Sequence, residues 1–152
     1  MSQEIATSIV TFGSFLLFVF WFRYVCLLVL RARPARDYAH AAAAANQLSF
    51  PDVQALLHQR ASADLEELRR MLDRDFALLT YVLAHVASPP AGVAALEKRI
   101  LEIDYRLLRA WCGVSAHFSR SAACRALAEM STVVAHFANS LGERGAGVAV
   151  PT

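Results

Sequence analysis

Four residues with metal-binding side chains fall in one stretch of the sequence: Cys112, His117, Cys124 and His136. Thiolate sulfur and imidazole nitrogen are the donors that tetrahedral zinc takes. Their spacing works against a site. No two of them form the close pair from which zinc sites are usually built, and Cys124 and His136 fall within one long helical pattern. They stand as metal candidates only. Haem would need a single imidazole between helices, which His85 or His136 could supply, but no Cys-x-x-Cys-His run attaches one. A di-iron bundle needs Glu-x-x-His on two helices, because carboxylates must bridge the irons, and no such run occurs. The expectation is a chain without a cofactor.

Other chemistry is equally unmarked. The sequence has no Gly-rich phosphate loop, no Gly-x-Ser-x-Gly elbow and no His-Glu-x-x-His. Net charge is +2 with no basic run in the region after residue 48, which argues against a nucleic-acid partner. Three cysteines without a Cys-x-x-Cys are expected to be reduced, packed thiols rather than a disulfide framework. Nothing here predicts catalysis.

What the sequence does mark is where the chain sits. Residues 5–22 carry no charge, and eighteen helical residues reach about 27 Å, close to the ~30 Å hydrocarbon thickness of a bilayer. A secretory signal fits badly, because MSQE supplies an acid where a basic segment belongs and RARPAR follows in place of a small-residue cleavage site. Residues 1–33 therefore read as an uncleaved transmembrane anchor. Arg31, Arg33 and Arg36 follow the span while Glu4 alone precedes it. The positive-inside rule then places the N-terminus outside and the rest of the chain in the cytoplasm, at the cytoplasmic (inner) membrane.

Arg23 lies near the inner boundary between Trp21 and Tyr24, aromatic residues of the kind that settle at membrane interfaces. Its stem can run along the helix while the guanidinium reaches lipid phosphates, or it can pair with an acid of another membrane subunit. The apolar run continues to residue 30, longer than one straight crossing requires. Thr7, Thr11 and Ser14 form a stripe of small residues of the kind that permits close helix packing in lipid. The expected partners are the bilayer and an integral-membrane protein or a second copy.

The elements beyond the anchor are all helical. Residues 34–48 read as a helical connector, 49–144 as a cytosolic bundle, and 145–152 as a disordered tail. Ser49 and Pro51 mark a helix start, and Ser62 a second. Apolar stripes at three/four spacing run through Leu65, Leu68, Leu72, Phe76, Leu79, Leu83 and Val86; through Leu96, Ile100, Ile103, Leu107, Trp111 and Val114; and through Ala123, Leu127, Met130, Val134, Phe137 and Leu141. Gly142 is the expected stop of the last. The fold expected is all-α: one transmembrane helix followed by an antiparallel three- to four-helix bundle. The function expected is a non-catalytic accessory, assembly or scaffold subunit of a larger membrane complex. The alternative is a membrane-tethered sensor holding haem, metal or a small molecule between helices.

Overall fold

The structure, a computed structural model, describes residues 2–31, 37–59, 64–85 and 92–148. It contains six α-helices and, among the described residues, no strand: α1 Ser2–Arg31, α2 Ala39–Asn46, α3 Phe50–His58, α4 Leu65–His85, α5 Val93–Ser115 and α6 Arg120–Val148. The chain divides into two compact units, Met1–Arg33 and Pro34–Thr152.

The first unit is α1. Within Gln3–Arg31 an 18-residue window has a mean hydropathy of 2.1, and the helix is long and apolar enough to cross a membrane. Ile9, Val10, Phe12, Phe15, Phe18 and Phe20 all stand exposed, as a helix without a protein core around it must leave them. No polar face interrupts the apolar surface.

In the second unit α6 is the hub, packing against α2, α3, α4 and α5. Its sequence explains this role. Ala123, Ala126, Leu127, Met130, Val133, Val134, Phe137 and Ala138 are buried on one apolar face roughly 140° wide, broad enough for several neighbours. Leu68, Leu72, Leu79 and Leu83 of α4 are buried as their spacing predicts. The contacts of Cys112 with Ala123 and of Glu97 with His136 run in opposite directions along α5 and α6, so these two helices form a hairpin.

The short helices are capped from a distance. Ser49 precedes α3 but makes no side-chain cap, because its backbone is already αR (φ −95°, ψ −7°). Asp75 of α4 does the capping instead: its Oδ2 accepts the N–H groups of Ser49 (2.6 Å) and Phe50 (2.7 Å). Asn139 of α6 does the same for the start of α2, where its Oδ1 accepts from Tyr38 N at 2.6 Å. Ser62 lies outside the described residues; at the start of α4, Asp64 Oδ1 accepts from Glu66 N at 3.0 Å.

The helix α2, within the segment read as a helical connector, is packed, with Ala39, Ala42 and Ala43 buried. Small side chains there let α2 lie close against α6. For the same reason Gly142 is not a stop: α6 runs through it to Val148, and a Cβ at 142 would stand 2.4 Å from the Cβ of Tyr38. The glycine serves close approach rather than termination.

Gly142→Ala tests this packing. Helix propensity alone would favour alanine by about 1 kcal/mol. The clash with Tyr38 is expected to reverse the sign and cost about 1–3 kcal/mol in denaturant unfolding. A second prediction concerns Asp75, whose carboxyl burial pushes above its ordinary value of 3.8 against the pull of the two N–H groups. A raised pKa means that the native state binds the proton more tightly than the unfolded chain. The contribution of Asp75 is therefore most favourable at low pH and declines as pH rises through its folded pKa. Asp75→Asn, which keeps an acceptor without a charge, is expected to flatten that decline in thermal midpoints measured across pH. Asp75→Ala should lose about 1–3 kcal/mol at every pH, leaving two buried N–H groups without an acceptor.

Candidate functional site

The cysteine and histidine candidates do not converge. Cys112 is buried on α5, with its Sγ 3.9 Å from the carbonyl of Ala123, and burial pushes the thiol up, away from the thiolate a metal needs. His117 is exposed in the turn before α6, and Cys124 is half-buried at the start of that helix. His136 lies about 18 Å further along α6 than Cys124, bonded through Nε2 to Glu97 Oε1 at 3.0 Å. No group of three potential ligands forms among the described residues. His85 is exposed at the end of α4, where its ring stacks on Tyr81 and Nδ1 lies 2.8 Å from the carbonyl of that residue.

On α1, Thr7 Oγ1 donates to the Gln3 carbonyl and Thr11 Oγ1 to the Thr7 carbonyl, each at 2.8 Å. The hydroxyls are thus satisfied within the helix, and the stripe with Ser14 presents a small, exposed surface. Trp21 and Tyr24 meet edge to face, with ring centroids 6.3 Å apart. Both flank Arg23 in sequence.

The unexpected surface is on α5. Sequence periodicity selects Leu96, Ile100, Ile103, Leu107, Trp111 and Val114 as the inward stripe, yet five of the six are exposed, Leu96 at 60% and Trp111 at 56%, and Ile100 is half-buried. The buried stripe is the other one: Leu101, Asp104, Tyr105, Leu108, Cys112 and Ser115. Two residues apart on a helix is about 200°, so facing Tyr105 inward turns Leu107 outward.

Side-chain geometry shows what sets this rotation. The Tyr105 ring stacks on Phe76 of α4 at 3.8 Å between centroids and 5° between planes. Phe76 in turn meets Phe137 of α6 edge-on at 5.6 Å. The Tyr105 hydroxyl donates to Asp73 Oδ1 at 3.0 Å, and Arg109 Nε donates to Asp73 Oδ2 at 2.9 Å. Asp73 therefore turns to α5, while Arg69, one turn before it on α4, bonds Glu66 at 2.6 Å. Burial, followed by the neighbouring Asp73 charge, pushes the Tyr105 phenol far above its ordinary range, so it stays a donor at any working pH.

Beside the stripe is a shallow groove of about 530 Å³, bordered by Arg69, Arg106, Arg109 and His117. It opens on the surface rather than between helices, and neither His85 nor His136 lines it. It holds no constellation of nucleophile, base and oxyanion donors. What the site can do is adhere: an apolar helical face with arginines along it. No protein family, curated protein or solved structure matches the chain.

Paired substitutions separate the two faces. Leu108→Ala is expected to cost about 2–5 kcal/mol, as a buried leucine does. Leu107→Ala, one position earlier, should stay within about 0.5 kcal/mol of the parent. Equilibrium unfolding of the two variants side by side reads this directly.

Proposed function

We propose that the chain is a single-pass protein of the cytoplasmic membrane, with its N-terminus outside. In this reading it works without catalysis of its own, as an accessory, assembly or scaffold subunit of a larger membrane complex. After the anchor and the connector helix α2, the long helices α4, α5 and α6, with α3 as a short fourth, form an antiparallel bundle on the cytoplasmic side, orientation following the arginines at 31, 33 and 36.

The observation that carries the reading is α1. It is a helix of 30 residues, longer than a bilayer crossing requires, whose apolar side chains stand exposed over most of residues 5–21, while Cys26 further along is buried. Its stripe of Thr7, Thr11 and Ser14 has the hydroxyls of both threonines turned back onto its own backbone. Such a stripe admits a second helix at close range without asking it for hydrogen bonds. The partner is an integral-membrane protein, or a second copy in its place. A sensor reading has less support, since the groove beside α5 is open and the imidazoles of His85 and His136 lie elsewhere.

The test is purification of the full chain from its native membrane in mild detergent, with mass and co-eluting proteins recorded together. A reproducible set of membrane partners is expected, and Thr7→Leu with Thr11→Leu should reduce their recovery about tenfold. Arg23→Leu should insert normally and lose the partners only if the arginine pairs with one of them. A chain that elutes alone, with and without the threonine substitutions, would sink the subunit reading.

A further inference from the structure

We propose that the outer face of α5 is a membrane-surface contact, which seats on an anionic leaflet and holds the second unit against the bilayer. The inference goes beyond the subunit reading and takes from it only that α1 is anchored in lipid.

The face is continuous. Leu96, Ile103, Leu107, Trp111 and Val114 repeat at intervals of seven, four, four and three, which keeps them on one side of α5 over about 27 Å. Phe118 prolongs the row into the turn after α5 and is 78% exposed. A patch of several large apolar side chains, aligned and aromatic at one end, exceeds the scattered exposure that soluble surfaces tolerate.

Charge selects the occupant. Arg99 and Arg106 run along one edge of the stripe in the same register as Ala110 and His117, and all four are exposed. The acids of α5 lie away from this edge: Glu97 borders the stripe on its other side, 38% exposed and bonded to His136, Glu102 is paired with Lys98 and Asp104 is buried. An apolar stripe with tryptophan and phenylalanine and a purely basic edge is the pattern of a helix lying in the headgroup region of anionic lipid. A second copy fits less well, because antiparallel apposition of two α5 faces sets the arginine edge of each against the arginine edge of the other. The anchor adds a further reason. Only five residues separate Arg31 from Asp37, so the lipid surface is present at high effective concentration by covalent connection.

The chain contains two tryptophans. In the full-length Trp21→Phe protein, Trp111 fluorescence therefore reports on α5 alone. The protein is reconstituted into vesicles of phosphatidylcholine, or of phosphatidylcholine with phosphatidylglycerol, each with and without lipid brominated near the headgroup. In the anionic vesicles Trp111 emission is expected to be blue-shifted and quenched by the brominated lipid. Replacing Arg99 and Arg106 together by glutamate, with helicity unchanged by circular dichroism, should reduce the quenching roughly threefold, as should high salt. Red-shifted, unquenched emission in both vesicle types would overturn the proposal, leaving the face in water. Blue-shifted emission that brominated lipid cannot quench would also overturn it, assigning the face to a protein, a second copy included. Flotation of the chain with the vesicles scores the anchor separately, so a failure of α1 and a failure of α5 are told apart.

Discussion

Tyr105 of α5 is held by α4 at two points, and the arrangement of the second unit follows from that. Its ring lies flat on Phe76, which in turn meets Phe137 of α6 edge-on, and its hydroxyl reaches Asp73. Stacking and edge-on contact among aromatic rings add roughly 0.5–1.5 kcal/mol per pair beyond area burial. A buried phenol also needs its acceptor. Together they fix the rotation of α5 about its own axis, which decides which of its two apolar stripes enters the core. Leu101, Leu108 and Cys112 follow Tyr105 inward, and Trp111 is left facing out.

Around this contact, α6 supplies the apolar surface on which the other helices of the unit pack. The short helices α2 and α3 could not be stable alone, since helices of that length are marginal in water. They are held by buried faces and by carboxylate or amide oxygens sent from α4 and α6 to their N-termini, where unpaired N–H groups collect. Gly142 opens the space in which Tyr38 enters. Local sequence thus starts these helices, and tertiary side chains complete them.

The helical content and the long apolar N-terminal helix were legible in the sequence, because both are carried by long, uninterrupted patterns. The stripe of α4 read correctly from Leu65 to Leu83, Val86 lying outside the described residues, as did that of α6. The stripe of α5 did not, for a specific reason. Its buried side contains Asp104, Tyr105 and Ser115, which depress any hydropathy pattern, while its exposed side is the more apolar of the two. Periodicity reports the most apolar face and assumes that it points inward. A face kept for another surface breaks that assumption. The capping roles of Asp75 and Asn139 were out of reach as well, since each acts on residues far away in sequence. One signal was available: apolar residues on two sides of α5, more than one core contact explains.

The account rests on which way α5 faces. Nuclear Overhauser contacts in the full chain, with selectively labelled aromatic rings and leucine methyls, measure that without depending on what covers the outer surface. Cross-peaks from Tyr105 to Phe76, and from Leu108 to the core formed by α4 and α6, are predicted, with none from Leu107 or Trp111 to that core. Cross-peaks placing Leu107 and Trp111 against Phe76 or Phe137, with Tyr105 outside, would contradict it.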